Sequence, residues 1–338
     1  MSGLIVERAG PALTLQDLGR PGFLAQGLSR GGAADVHALV EGAVLLGQPT
    51  DRAALEMAGA GGSFVAGVDM RIALTGAPMP TAIDGRPALW NAGHRLRAGQ
   101  RLTIGAAQAG VYSYLHVGGG FDGPVFLGSR SAHLAAGIGQ PVRAGDRLAA
   151  GPDPDPDRPD LALPQVDRFA GGTLRLLPGV HTVHFAPETL ERFAKTAFTK
   201  TSRANRQGAE LAFDGPPFAT GSAQLSTLSE PMVPGDVQMT GLGMPFVLLP
   251  ECQTTGGYPR IGTLLPDDLP MGAQAAPGTA LRFTFITRAA AMAVHVPIAS
   301  YAEGLRARLG PHTRDPAAIA DLLSHQLIGG VITGWDED

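Results

Sequence analysis

The feature that most restricts the fold of this chain is the run Gly151-Pro-Asp-Pro-Asp-Pro-Asp-Arg-Pro-Asp160. Its prolines remove backbone donors and block helix, and the aspartates between them repel one another, so no regular element is expected to run through it. The run divides the 338 residues into halves of similar length, each long enough to bury a core. The expected organisation is a β-rich N-terminal subdomain over 1–150, a Pro/Asp-rich linker over 151–170, a second β-rich subdomain over 171–290 and a helical tail over 291–338. Glycine (47) and proline (28) punctuate both halves, and aromatic residues make up only 6%. That composition favours short strands joined by turns over long helices.

Short strands are read at 71–75, 101–105 and 111–117, each bounded by glycine, proline or the Asp84-Gly85 turn. A glycine turn feeding a strand occurs as Arg97-Ala-Gly-Gln-Arg-Leu102, as Arg143-Ala-Gly-Asp-Arg-Leu148 and, more loosely, as Ala276-Pro-Gly-Thr-Ala-Leu281. The recurrence suits two related β-barrels. Helices are few. Residues 33–46 carry Val36, Leu39, Val40 and Ala43 at helical spacing before Gly47 stops them, and 187–198 begin with proline and place Glu188 and Glu191 early. In the tail, 301–309 and 315–327 are expected to be helical and to pack across the second subdomain or a partner.

Charge and motif content exclude several functions. A net charge of −4 offers no basic surface for nucleic acid or anionic lipid. The lysines are Lys195 and Lys200, neither in a Gly-x-x-x-x-Gly-Lys-[Ser/Thr] setting, so no phosphate-cradling loop of that type is expected. Cys252 is the sole cysteine, which rules out an intrachain disulfide and fits a reducing compartment. No apolar run reaches the roughly 18 residues that span a bilayer, and the N-terminus lacks a basic segment followed by a long apolar one. A soluble cytoplasmic protein is expected. His181 and His184 lie three apart without an evident third ligand, so no metal is expected.

The chemistry-bearing segments are polar rims after apolar runs. Met244-Pro-Phe-Val-Leu-Leu249 is followed by Gln253-Thr-Thr-Gly-Gly-Tyr-Pro-Arg260, which sets an amide, two hydroxyls, a phenol and a guanidinium on flexible backbone. Asp17 and Arg20 form a compact pair in Gln16-Asp-Leu-Gly-Arg-Pro-Gly22: either a local turn lock, or a guanidinium held ready for a substrate carboxylate. Asp35 and His37 lie at a helix start, Ser129-Arg130-Ser131 follows Phe126-Leu127, and Glu230 and Gln238 flank the Pro234-Gly235 turn. Gly27-Leu-Ser-Arg-Gly31 matches the nucleophile-elbow pattern, but about one strand precedes it where an α/β-hydrolase needs several. Gly118-Gly-Gly120 reads as a tight turn rather than a dinucleotide loop, because Phe121-Asp-Gly-Pro124 does not start a helix.

In their order, these motifs resemble the allophanate hydrolase subunit 2-like, or biotin-dependent carboxyltransferase-like, proteins. That family includes component C of 5-oxoprolinase and the Kip antagonist, and urea carboxylase carries a related domain. The resemblance rests on Gln16-Asp-Leu-Gly-Arg-Pro-Gly22, Gly31-Gly-Ala-Ala-Asp35, Gly118-Gly-Gly120 through Leu127-Gly-Ser-Arg-Ser131, and Gln253-Thr-Thr-Gly-Gly-Tyr-Pro259, and covers roughly residues 4–287. It implies a mainly β fold of two cyclophilin-like β-barrel subdomains with a few short helices and a helical C-terminal tail. It also implies an allophanate hydrolase subunit 1-like partner, similar to component B of 5-oxoprolinase. In the 5-oxoprolinase case a third chain, component A, joins, and ATP hydrolysis is coupled to opening the lactam of 5-oxo-L-proline to glutamate.

The chain departs from the family pattern at Ala34, where methionine is common, at Ala204-Asn-Arg-Gln-Gly208, and at Glu251-Cys252, where an aspartate-arginine pair is usual. The last change removes a guanidinium and sets a thiol beside the signature loop. Neither lysine lies in a Met-Lys-Met hairpin, so no cofactor is expected to be covalently bound: biotin could reach this chain only on another one, and any ATP is bound by another fold or subunit. For a small amide or lactam bearing a carboxylate, the expected site has Arg20 or Arg130 on the carboxylate. Gln253, Thr254, Thr255, Gly256, Gly257 and Tyr258 form the wall that polarises the carbonyl, and Asp17, Asp35 and Glu230 are acid/base candidates, the choice among them open. This loop, Asp17, Arg20 and residues 31–35 are expected to share one pocket. Two other roles carry the same motifs: the carboxyltransferase component of a urea carboxylase-like system, and a non-catalytic Kip antagonist-like binding protein.

Overall fold

Glycine turns and strand-forming residues build two β-rich halves in the computed structural model, which describes residues 3–218 and 228–312; elements are counted among those residues. In the first half a six-stranded sheet runs in the order Arg147–Ala149, Gly3–Arg8, Ser63–Ala66, Arg101–Ile104, Thr81–Ile83, Arg86–Pro87. A seven-stranded sheet faces it, ordered Leu13–Gln16, Ala54–Ala58, Tyr112–Val117, Met70–Gly76, Ala92–Leu96, Leu161–Ala162, Gly310–Pro311. Alternate residues of both sheets meet in one core: Leu4, Val6, Phe64 and Leu102 from the first, Leu13, Leu55, Leu74 and Leu115 from the second. Leu115 lies opposite both Leu55 and Leu74, which centres its strand.

The second half is a closed seven-stranded barrel. Its strands run Gly172–Leu177, Arg260–Leu264, Asp236–Met239, Pro245–Leu248, Gly208–Ala212, Phe198–Ala204 and Ala280–Phe285. The last strand returns to the first in parallel, with Gly172 opposite Leu281 and Leu176 opposite Phe285. Closure leaves no free sheet edge. The fold is thus mainly β, and the recurring turn is real: Gly99, Gly145 and Gly278 all hold φ between +84° and +93°, which a side chain resists, and each feeds a strand.

Helices are short. Helix α1 (Val36–Leu46) starts where the Asp35 side chain accepts from Ala38 N at 3.0 Å and stops at Gly47 in the left-handed region. The expected start at 33 fails because residues 33–35 stay outside the helix, their amides donating to Asp17 O, Glu56 Oε2 and Tyr114 OH. Helix α2 (Pro187–Lys195) ends before Phe198, which belongs to the barrel, and gives the barrel core Phe193, whose ring centroid lies 4.7 to 5.2 Å from those of Phe198, Phe218 and Phe283. Helix α3 (Leu269–Gln274), between two barrel strands, packs on the first half, where Ala273 joins Leu39 and Tyr114 in one cluster and Gln274 Nε2 donates to Tyr112 O.

The Pro/Asp run carries no regular element through 160, yet it is pinned. Arg71, 4% exposed, donates to Asp153 through Nε (2.8 Å) and Nη2 (2.5 Å), and Arg95 donates to the carbonyls of Pro156 and Arg158. In the tail, helix α4 (Arg288–Val294) is followed by helix α5 (Ile298–Arg306). Contrary to expectation, α5 lies not across the barrel but on α1: Ala302 and Leu305 join Val40, Val44 and Leu45 in one cluster, and Tyr301 stacks on His37 at 4.3 Å. The connector before it touches the second half, where His295 Nδ1 and Asp267 Oδ2 lie 2.6 Å apart. The helix expected at 315–327 lies outside the described residues. Among the described residues no helix is long and apolar enough to cross a membrane.

Candidate functional site

A cavity of about 830 Å³ opens between the halves. The segment 17–37, the barrel residues Leu177, Thr263 and Leu264, and the tail connector 295–298 enclose it. Its wall is largely apolar with a few polar groups, among them Arg20, Ser29, His37, Asp267 and His295, which is the usual build of a small-molecule site.

Asp17 and Arg20 stand at one side of this cavity. Asp17 is a turn lock: its carboxylate accepts from Gly19 N (2.8 Å), Ser129 Oγ (2.6 Å), Ser131 Oγ (2.5 Å) and Arg130 N (2.6 Å). With those four donors in place its oxygens are engaged, so it fits a structural anion and not the acid/base group the sequence suggested. Arg20 does not form the expected pair with it. Its Nη2 donates to Ser131 O at 2.5 Å and its Nε to Phe126 O at 3.4 Å, which fixes the guanidinium at 1% exposure. Nη1 is buried and has no acceptor among the described residues. Arg130, the other expected carboxylate holder, points its Nη2 at Asp122 on the surface, 2.9 Å away, and does not line the cavity.

Ser29 returns in a setting that sequence alone did not disclose. Its Oγ lies 2.8 Å from His133 Nε2, and His133 Nδ1 lies 3.9 Å from Glu251 Oε2. Serine, histidine and carboxylate stand in triad order, but the hydrogen bonds oppose a nucleophile. The Ala136 N–H donates to His133 Nδ1 at 3.2 Å, which assigns the proton to Nε2. The imidazole therefore donates to Ser29 and does not accept its proton, and Glu251 is beyond hydrogen-bond distance. Burial, the largest influence, holds the His133 pKa below its usual value against the pull of Glu251, which keeps the ring neutral.

A buried ionic network joins the halves behind this wall. Arg206 donates to Glu251 (2.6 Å), to Glu56 and to Gly32 O (2.5 Å). Glu56 also accepts from Tyr114 OH and Ala34 N. Asp35 is fully buried; it accepts from Arg168 Nε (2.6 Å) and Gln274 Nε2 (2.8 Å) besides capping α1, and Arg168 makes a bidentate pair with Glu41. Burial raises the Asp35 carboxyl, but Arg168, His37, Gln274 and the Ala38 amide outweigh it and hold the pKa below the usual range. Asp35 is therefore a structural anion between the halves, and the expected acid/base role does not fit a group no substrate can touch.

The loop expected to complete this pocket lies elsewhere. Residues 253–258 are not among those lining the cavity. Thr255–Gly256 pairs with Glu230–Pro231, Met232 N donates to Thr254 O, and Gln253 Nε2 donates to Gln238 Oε1 at 3.0 Å. Tyr258 is half exposed, and the bare Cα of Gly256 lets Met232 approach. Glu230 sits here too, 2.6 Å from Arg260 Nη2 and 3.1 Å from His181 Nε2. It is half-buried, the only one of the three acid/base candidates open to solvent. Val233 and Pro234, just beyond, reach the cavity, so the two places adjoin through the segment 230–234. Cys252 beside the loop is 2% exposed against Met232 and Leu248, and burial pushes its thiol up to about 12, so it offers no reactive thiolate.

Comparison with known proteins bears on this arrangement. A family model described as "Carboxyltransferase domain, subdomain A and B" matches residues 26–285. Component C of the 5-oxoprolinase of Escherichia coli (strain K12) is 35% identical over 286 residues, covering 83% of this chain and 90% of that protein. Among solved structures, TTHA0988 superposes with a TM-score of 0.76 at 32% identity, covering 84% of this chain and 56% of that one, so this chain spans little more than half of it. The urea amidolyase of K. lactis gives a TM-score of 0.80 at 20% identity over 93% of this chain and 21% of that one, which shows a shared fold.

Proposed function

The chain belongs to the family of carboxyltransferase domains with subdomains A and B, and from that premise we propose that it is the component C-like part of an ATP-dependent 5-oxoprolinase. Acting with an allophanate hydrolase subunit 1-like partner, and with a third chain similar to component A, the complex adds water across the lactam C–N bond of 5-oxo-L-proline. Glutamate forms, while ATP goes to ADP and phosphate. The likeness to the E. coli component C over most of both chains supports this reading. The observation that carries it at the residue level is Arg20, a buried guanidinium in the cavity wall with a free N–H. A substrate that bears one carboxylate supplies the missing acceptor.

Of the two arginines considered, the geometry favours Arg20, because Arg130 is already engaged with Asp122. Among the acid/base candidates Glu230 is the accessible one. Gln253 to Tyr258 then serve at the adjoining end of the barrel, where a second chain completes the site. The test is ATP-dependent release of glutamate from 5-oxoproline by a complex assembled from this chain and its partner proteins. In that complex Arg130→Ala should leave KM within about twofold, whereas Arg20→Lys, which loses the planar fork, should raise it at least tenfold. A verified complex without turnover contradicts the proposal. The family description itself favours a second reading, transfer of a carboxyl group from biotin carried on another chain; loss of carboxylation on avidin treatment distinguishes it.

A further inference from the structure

Gly31 stands where three groups come together. A Cβ built on it would lie 3.1 Å from His133 Cδ2 and 3.4 Å from Arg20 Nη1. The bare Cα therefore lets the imidazole edge and the guanidinium pack close against it. Arg20, Ser29 and Gly31 all line the cavity. At this part of the cavity wall the chain brings donors and no acceptor for them. Arg20 Nη1 is unpaired among the described residues. Ser29 Oγ already accepts from His133 Nε2–H, and no described residue takes the hydroxyl proton. The Ala136 N–H on His133 Nδ1 fixes the tautomer, so the ring turns a lone pair of Ser29 towards itself and the hydroxyl hydrogen away.

We propose that Arg20 Nη1 and the Ser29 hydroxyl form a carboxylate subsite in the cavity wall beside Gly31, with His133 as the residue that positions Ser29. The proposal rests on reading the cavity as a substrate site and deepens it, adding to the guanidinium a neutral donor that nothing in the sequence assigned. Charge limits the ligand. Asp17 and, more weakly, Glu251 act on Arg20; since Arg206 pairs with Glu251, it is the charge of Asp17 that disfavours a dianion such as phosphate, while one cationic fork and one hydroxyl suit a monoanion. Ser29 is thus a hydrogen-bond donor here, in the position where the Gly-x-Ser-x-Gly pattern suggested a nucleophile.

Calorimetric titration of the assembled complex tests this with ligand pairs in which one member carries a carboxylate and the other is neutral: L-5-oxoproline against 2-pyrrolidinone, and acetate against acetamide. The complex should bind the acid of a pair at least tenfold more tightly than its neutral partner. Ser29→Ala should cut that ratio about fivefold or more, weakening the acid more than the neutral compound. His133→Gln, which keeps an N–H near Ser29, should retain more of the ratio than His133→Leu. Should Ser29→Ala fail to assemble, Ser29→Cys, similar in size and a weaker donor, must show the same loss. An unchanged ratio in the Ser29 variants, equal weakening of both ligands, or no preference for the acid in the parent complex overturns the subsite. If acetate shows a Ser29-dependent preference but 5-oxoproline is neither bound nor hydrolysed, the subsite stands and the 5-oxoprolinase reading fails.

Discussion

The side chains that carry charge in this protein divide by whether their hydrogen-bonding capacity is used up. Asp17 accepts four hydrogens and holds the segments 17–20 and 129–131 together. Asp17→Asn replaces one acceptor oxygen by a donor facing donors, so the variant should lose about 2–4 kcal/mol in chemical denaturation. An acid/base residue would give the opposite result, full stability with activity abolished. Lys200 is the converse case. It is 3% exposed, its Nζ donates to Ala273 O, and burial lowers its pKa to about 8 from the ordinary 10.5. Between those two values the unfolded chain holds more protons than the folded one, so stability should rise as pH increases from about 8 to 10.5 and be lowest, and level, below 8. Lys200→Met should flatten that window and stabilise the protein at pH 7 by on the order of 1–3 kcal/mol; a wild-type denaturation profile that is flat from about pH 8 to 10.5 contradicts it. Sequence made Asp17, Arg20 and Arg130 visible as candidates, but Ser131, which takes a hydrogen from Arg20 and gives one to Asp17, lies more than 100 residues from both in the chain. Only the fold could show that Arg20 lines the cavity with an unpaired N–H while Arg130 turns to the surface.

At the level of elements, what was legible was whatever local chemistry dictates. Turn glycines, the Asp35 cap with its Gly47 stop, and the strands around 71–76, 101–104 and 112–117 all follow from backbone limits and periodicity. The segment 33–35 and the end of α2 were misjudged because tertiary partners set them: Glu56 and Tyr114 take the amides of the one, and Phe198 is drawn into the barrel in the other. The placement of α5 was equally hidden, since its apolar face fits α1 as well in sequence terms as it would fit a barrel. Arg168 is the tie among these elements, bridging Asp35 at the start of α1 to Glu41 further along it, while Tyr301 of α5 donates to the same Glu41. Arg168→Met leaves two buried carboxylates without their cation and should cost about 3–5 kcal/mol. Adding Glu41→Gln should recover part of that loss, and a double-variant cycle in urea reads the coupling directly. Strict additivity of the two changes contradicts the tie.

For the whole molecule, two β-rich halves joined through buried ions form a cavity at their junction, with the tail connector as its third wall. The order of motifs made the family legible before any coordinate, since each motif is a turn with fixed backbone needs. The separation of the Gln253 loop from the cavity was not legible, because nothing local to residues 253–260 states which face of the barrel they end on. In the proposed function this chain works with others, and the direct measurement is a titration: fixed amounts of the partner proteins, saturating ATP and 5-oxoproline, and increasing amounts of this chain. Glutamate release should be absent without it, rise linearly with its addition and level off at a fixed stoichiometric ratio. Glutamate release that is independent of this chain, or that stays at zero when the assembled complex is verified, contradicts the account.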